Sequence, residues 1–474
     1  MHTPLVESLP YRPDSAEVFG RLAAEPWAAL LDSGTVNGAG GGRYDILAIA
    51  PRETLVTRGA LTEWCRGGEV VLSGADPFDL LREALAARGP TRAGPTQPRL
   101  PFAGGALGWL GYDLARRIEP AALPAAPAGT LPQMALGIYD WALVVDHRRR
   151  ETWLAGFGDA ADPARRRLRD AALSPADRPL APFRLTGRLT SSFDAAGYRE
   201  RFERVRRYIR AGDCYQVNLA RRWSAPVQGD PWAAYRWLRR RGPSPFGAYL
   251  NTPQATLLSL SPERFVSVRG ERVQTCPIKG TIRRAADPGH DQALAEQLAA
   301  SPKDRAENLM IVDLLRNDLG RSCATGSVRV PRLFEVQSFA GLHHLVSTVT
   351  GRLAAGADAL TLLRGCFPGG SITGAPKIRA MQIIDELEGI SRGVYCGSIG
   401  YLGFDGGMDT SIAIRTAVVA GGELCFWAGG GLVADSRCDA EWDEITLKAR
   451  AFLALAERFG AAAGDGQLCG ARVR

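Results

Sequence analysis

Four lysines set the chemistry of this 474-residue sequence apart. The chain holds 58 Lys plus Arg, and all but Lys279, Lys303, Lys377 and Lys448 are Arg. Where only positive charge is wanted, this sequence uses Arg. A lysine amine differs because it can lose its proton and attack carbon, whereas a guanidinium stays protonated. Lys279, in Cys276-Pro277-Ile278-Lys279-Gly280-Thr281, is therefore the candidate nucleophile. Glu263 lies in Ser261-Pro262-Glu263, between two apolar strand-like runs, and reads either as a hairpin-turn glutamate or as an acid set in an apolar place. Asp304 and Glu307 fall on one helix face. Glu441, Glu444 and Lys448 share a face of a second helix, and there two glutamates are either a solvated surface or, with Glu307, ligands for a hard divalent cation. Magnesium suits such a set, because it takes one or two carboxylates and keeps waters for the substrate.

Two further stretches point to an anion. Pro368–Lys377, with Ser371 and Thr373 inside it, is rich in small residues and opens a helix, so its free N–H groups can face a negative ligand. It lacks the GK[ST] ending of a nucleotide loop. Arg415 is expected inside an apolar strand over Thr410–Thr416, where a guanidinium needs an anionic partner. His343-His344 sits in an apolar setting without acidic or Cys neighbours, which argues against a metal there. Cys366 reads as a buried cysteine.

The elements that must position these groups follow from periodicity and caps. Asp194 caps a helix carrying Phe202, Val205, Tyr208 and Ile209 and ending at Gly212. Ser301-Pro302 starts a helix to Leu319, with Leu309, Val312, Leu315 and Leu319 as its apolar stripe. Strands are expected over Arg43–Ile49, Gly104–Tyr112, Ile138–Val145, Tyr215–Trp223, Leu257–Leu260, Phe265–Val268 and Ser398–Tyr401. Phe426–Val433 reads as a strand and glycine turn, and Ala16–Ala24 as a short helix. Gly38–Gly42 precedes a strand, the wrong order for a dinucleotide fingerprint, and reads as a loop. The composition divides the chain into an amino-terminal region (1–154), a linker (155–190), a catalytic region (191–457) and a disordered tail (458–474).

Apolar content of 46% and charged content of 23% are ordinary for a globular protein. The formal charge of +8 is spread along the chain in short Arg runs without a binding motif, so no nucleic acid is expected, and an anionic small substrate suits it better. Nine cysteines without CxxC pairs predict reduced thiols in a cytoplasm. No signal peptide or membrane span is expected from the apolar patterning.

Taken together, Ser261–Phe265, Pro277–Thr281, Lys303–Asp318, His344–Ser347, Gly369–Lys377 and Ala428–Ser436 resemble the chorismate-utilising enzymes over residues 15–455. The chain most resembles the aminodeoxychorismate synthase branch, which carries Pro-Ile-Lys-Gly where the anthranilate synthase large subunits carry Pro-Ile-Ala-Gly. The resemblance implies an α/β fold of two β-sheets packed as a sandwich with helices outside. It implies magnesium held by Glu307 and Glu444, with Glu441 through water. Arg415, Tyr395 and the Gly430-Gly431 backbone would take the enolpyruvyl carboxylate of chorismate, with Lys448 assisting and Ser371 and Thr373 also binding substrate. Lys279 would add to the ring, Glu263 would be the general acid, and His344 would orient the reaction. The product would be 4-amino-4-deoxychorismate for p-aminobenzoate and folate, with ammonia from a separate glutamine amidotransferase subunit, since no glutaminase triad is found here. In the family the amino-terminal region can also hold tryptophan, here on Ser33, Gly41, Gly42, Arg43, Tyr44, Pro245, Phe246 and Gly247. The competing readings are an anthranilate synthase, which releases pyruvate, and a non-catalytic subunit that binds tryptophan and a partner.

Overall fold

The structure is a computed structural model and describes residues 2–34, 42–89, 91, 94, 97–121, 123, 131–174, 179–338 and 341–460. Gly41, most of the expected Gly38–Gly42 loop and residues 461–474 of the expected tail lie outside these residues. Within them the strands form two antiparallel sheets of thirteen and twelve strands with helices around them, an α/β architecture. In the larger sheet, Tyr44–Ala48, Ala28–Asp32, Phe246–Asn251, Thr256–Ser261, Thr416–Ala420, Glu423–Leu432 and Gln216–Gln228 are successive neighbours. In the smaller, the order runs Ile278–Arg283, Leu342–Arg352, Arg272–Thr275, Arg264–Arg269, Met408–Ile412, Ser398–Gly403, Gly105–Leu110, Met134–Tyr139.

The strand sequences explain this layering. Along Trp141–Asp146 every residue is buried. Ala142 and Val144 enter one core cluster, while Trp141, Leu143 and Val145 enter another. Successive side chains point to opposite faces of a sheet, so a run buried throughout needs cover on both sides. The second cluster gathers helix residues such as Phe202, Trp232, Ile383 and Phe452 on the larger sheet's outer face. The first joins residues of both sheets, among them Ala29, Ile46, Leu107, Leu136 and Ile399.

The chain passes repeatedly from one sheet to the other, and several sequence expectations change there. Ile138–Val145 is not one strand. It divides at Asp140 into Met134–Tyr139 in the smaller sheet and Trp141–Asp146 in the larger. Thr410–Thr416 likewise divides into Met408–Ile412 and Thr416–Ala420, in different sheets, with Arg415 between them at φ 48°. Phe426–Val433 has no turn. Its glycines continue the strand Glu423–Leu432, and Gly429, Gly430 and Gly431 pair with Ala220, Leu219 and Asn218. The helix expected over Ala16–Ala24 is confined to Ser15–Phe19.

The helices that face the site follow their caps. Ser301 Oγ accepts from Asp304 N and starts Pro302–Gly320. On it Val312, Leu315 and Leu319 are buried, but Leu309 is 52% exposed and leaves the expected stripe. Asp194 caps Ala195–Ala211, which closes on Gly212 in the left-handed region. The last helix is Cys438–Phe459, so residues 458 and 459, placed in the expected tail, are helical. The 155–190 segment does not separate two sheets. Each sheet instead holds one block of strands from before it beside one block from after it, and the segment carries its own helix, Pro163–Leu173.

Candidate active site

Glu263 occupies a crossover rather than a hairpin. Thr256–Ser261 ends in the larger sheet and Arg264–Arg269 begins in the smaller. The carboxyl is thereby carried into the space between layers, where its residue is only 6% exposed. Ser371 Oγ donates to Glu263 Oε1 at 3.0 Å. Burial pushes the Glu263 carboxyl up to about 7, against the pull of Ser371, Lys279, the Ile278 N–H and Lys448. A carboxyl so placed still carries its proton near neutral pH.

Lys279 enters from Ile278–Arg283, the edge strand of the smaller sheet, beneath the Pro302–Gly320 helix. The pairing shifts by one residue between Lys279 and Thr281, so Gly280 is a bulge that re-aims the side chains beside it. Gly280 has φ +76°, and a Cβ there would lie 2.9 Å from the Asp304 carboxyl. Only glycine fits both demands, which explains why it follows the lysine. Lys279 Nζ lies 3.9 Å from Glu307 Oε2. Burial lowers the Lys279 ammonium below its ordinary range, with Lys448 adding to the effect and Glu307 and Glu263 opposing it. The remaining lysines are less enclosed or already committed: Lys377 Nζ donates to Asp318 at 2.8 Å and to the Cys366 carbonyl at 3.0 Å.

Thr281 carries the cluster on to His344, whose Nδ1 lies 2.8 Å from Thr281 Oγ1. Burial and the Arg415 guanidinium push His344 down to about 4, so it is neutral at pH 7. Burial alone lowers Arg415, and among the described residues no carboxylate pairs with it. The adjacent His343 turns the other way and contacts Ser338 and Asp291, at 2.8 and 2.9 Å.

The acidic side is built by two helices. Lys303 Nζ lies 3.7 Å from Glu307 Oε1 and 3.9 Å from Glu441 Oε1. Ser436 Oγ donates to Glu441 Oε1 at 2.8 Å. Burial raises the Glu441 carboxyl. The Glu444 side chain is 47% exposed, and Lys448, Lys279 and Lys303 outweigh its partial desolvation and hold its carboxyl low. Lys448 Nζ pairs with Glu444 at 2.7 Å and donates to the Gly429 carbonyl at 3.1 Å. A Cβ on Gly430 would come 3.1 Å from Glu441 Oε2. Among the described residues no three His, Cys, Asp or Glu side chains gather closely enough to hold a metal by themselves. Glu307 and Glu441 do converge on one cationic atom, so the residues fit a magnesium ion that takes two carboxylates and keeps open positions.

Thus Glu263, Ser371, Lys279, Glu307, Glu441, Glu444, Lys448, Gly430, His344 and Arg415 form one linked cluster of contacts and fields. Two predicted residues are engaged elsewhere. Thr373 Oγ1 donates to the Gly369 and Gly370 carbonyls and closes its own turn. Tyr395 is buried and stacks on Trp427, centroids 6.0 Å apart. The sequence reading missed Gln216. It is fully buried, and neither its amide nitrogen nor its amide oxygen has a partner among the described residues. A Cβ on Gly431 would lie 2.9 Å from its Cδ. A lone polar residue at a strand start gives no such signal; the orphaned amide is visible only in three dimensions.

A separate cavity of about 260 Å³ gathers Ser33, Gly42, Arg43, Tyr44, Pro245, Phe246 and Gly247 from the predicted tryptophan set. Arg264, Arg269, Tyr401, Asp409 and Ser411 complete its polar lining. Arg43 pairs with Asp146 at 2.7 Å and lies over the Tyr44 ring.

Comparison with known proteins places this geometry in context. The pattern of the chorismate binding enzyme family matches residues 31–454. The aminodeoxychorismate synthase component 1 of Klebsiella aerogenes is 51% identical, over 96% of this chain and 99% of that protein. That of Salmonella typhimurium is 48% identical, over 95% and 98%. The crystal structure of anthranilate synthase component I from Streptococcus pneumoniae superposes with a TM-score of 0.72 at 33% identity, covering 86% of this chain and 92% of that one.

Proposed function

The chain belongs to the chorismate binding enzyme family, and from that premise we propose that it is the large subunit of an aminodeoxychorismate synthase. The observation that carries this reading is a buried lysine, Lys279, set within reach of Glu307 and in the field of a carboxyl that keeps its proton, Glu263. Anthranilate formation needs no such amine, whereas exchange of the ring C4 hydroxyl for an amino group gains from a covalent relay.

In this reading Arg415 takes a carboxylate of chorismate. Its part-buried guanidinium, with no carboxylate partner among the described residues, gains an anion there. The Gly430-Gly431 backbone, Lys448 and Ser371 line the same ligand, and the Gln216 amide meets it or the incoming ammonia. Two of the three glutamates Glu307, Glu441 and Glu444 would hold magnesium directly and the third through water, and the ion when bound would supply positive charge to the ring carboxylate. The neutral Lys279 amine adds at ring C2. The C2–N bond forms, both ring double bonds shift by one position, and the C4–O bond breaks. Glu263 gives its proton to the departing hydroxyl, which leaves as water. Ammonia then adds at C4 and the C2–N bond breaks, returning the lysine. One proton from ammonia restores Glu263, so the sum is chorismate plus ammonia giving aminodeoxychorismate plus water. The neutral His344 imidazole orients the C4 side. The name component 1 borne by the relatives supports a second subunit, a glutamine amidotransferase, as the ammonia source. The 260 Å³ cavity is proposed to bind tryptophan. We place the protein in the cytoplasm; no helix among the described residues is long and apolar enough to cross a membrane.

The test is mass spectrometry of products from purified protein with chorismate, ammonium and magnesium. Aminodeoxychorismate without pyruvate, lost in Lys279→Ala, supports the reading. Anthranilate and pyruvate would place the protein with the anthranilate synthases. No turnover by a folded protein, even with the amidotransferase added, would favour a regulatory subunit.

A further inference from the structure

Two carboxylates from different helices, Glu307 and Glu441, have one cation in common, a lysine of the protein itself, while the other oxygen of Glu307 faces Lys279 at 3.9 Å. Lys303 stands on the first turn of Pro302–Gly320, one turn before Glu307, and reaches across to Glu441 on Cys438–Phe459. The exposure is lopsided: the Glu441 and Glu307 side chains are 5% and 16% exposed, that of Lys303 is 55%. Facing carboxylates out of water repel unless a cation lies between them. The third carboxylate of the set, Glu444, already has its own lysine, Lys448.

We propose that Lys303 is a tethered stand-in for the divalent cation, neutralising Glu307 and Glu441 until the metal displaces it. The proposal rests on the cation-site reading of these glutamates. The two occupants need the same oxygens, so they exclude each other. Lys303 suits the role. Its stem is flexible and its ammonium is a compact, strongly hydrated charge, so swinging out costs little. Glu441 has less freedom, because its side chain is only 5% exposed and accepts from Ser436 Oγ. Lys303 therefore lowers the apparent affinity for the metal while keeping the two helices together without it.

The experiment measures Mn2+ binding to the full chain by EPR, and Mg2+ binding by calorimetry, with no substrate present. Wild type, Lys303→Met, Lys303→Gln and Glu307→Gln are compared. Losing a competitor held by two part-exposed ion pairs should tighten Mn2+ binding by roughly three- to thirtyfold in both Lys303 variants. In EDTA their melting temperature should fall below that of wild type, and saturating Mn2+ should close the gap. Unchanged or weaker Mn2+ binding in the Lys303 variants, while Glu307→Gln abolishes it, would overturn the proposal and leave the cation site standing. Wild-type binding by Glu307→Gln would instead remove the site, and this inference with it.

Discussion

Ile412 donates its backbone N–H to the Glu263 carbonyl at 3.0 Å, and this bond ties together two passages of the chain between the sheets. One passage carries Glu263, and the other leads to Arg415. The Leu260 N–H donates to the Arg415 carbonyl at 2.9 Å, completing the splice. The proposed acid and the proposed anion receptor are thus fixed to each other by main-chain bonds, and side-chain changes at either should leave the backbone in place.

Lys279→Arg keeps the charge and loses the nucleophile. Amination of chorismate should fall by roughly a thousandfold or more, measured as product per minute with free ammonium. If the Arg variant retains a tenth of the activity, the covalent role of Lys279 is wrong and the residue acts through charge.

Glu263→Gln should be more stable than wild type at alkaline pH. The folded-state carboxyl is raised to about 7 by burial, above the roughly 4.3 of an unfolded glutamate. The folded protein therefore holds this proton more tightly, and stability falls as pH rises from the unfolded value through the folded one. Above pH 8 the deficit is at most about 4 kcal/mol. Glutamine carries no such deficit. Urea melts at pH 5 and pH 8.5 should show the variant gaining on wild type only at the higher pH, alongside loss of turnover.

Arg415→Met separates binding from folding. The guanidinium is part-buried without a carboxylate partner among the described residues, so replacing it should raise stability by about 1 kcal/mol. Methionine inherits the same backbone strain at φ 48°. The kcat/KM for chorismate should drop roughly a hundred- to a thousandfold. A variant that melts lower than wild type would mean that Arg415 has a stabilising role that its surroundings do not reveal.

Gly431→Ala and Gly429→Ala should differ. At Gly431 the new methyl meets the Gln216 amide at 2.9 Å, and a side chain can move aside, so a folded protein with about tenfold lower kcat/KM is expected. At Gly429 the obstacle is the Leu219 carbonyl at 2.7 Å, which is strand backbone. That variant should lose about 1–3 kcal/mol of stability, read by thermal melting.

Lys279 was legible because its rarity among so many arginines is a signal carried by the sequence itself. The Asp194 and Ser301 caps were legible because a helix start is a local event. The crossovers were not. Nothing within a few residues of Glu263, Asp140 or Arg415 says that the next strand joins the other sheet, since both sheets present the same apolar strands. The glycines 429–431 read as a turn because the strand they pair with, Gln216–Gln228, lies two hundred residues away in the chain. Leu309 fits the helical spacing of its neighbours but stays exposed, because periodicity gives the angle of a residue and not how far the covering layer extends.

Each sheet is completed by pairing a block of early strands with a block of late ones, Ala28–Asp32 on Phe246–Asn251 in the larger and Gly105–Leu110 on Ser398–Gly403 in the smaller, and this bears on how the protein divides. A cut within 155–190 would look, from composition, like a separation of modules. Each fragment would instead carry open strand edges in both layers, with their main-chain donors and acceptors exposed. Such halves are expected to be insoluble alone and to recover shape only when made together. That makes the segment a place for fragment complementation, in which activity reports on whether two pieces of one chain have met.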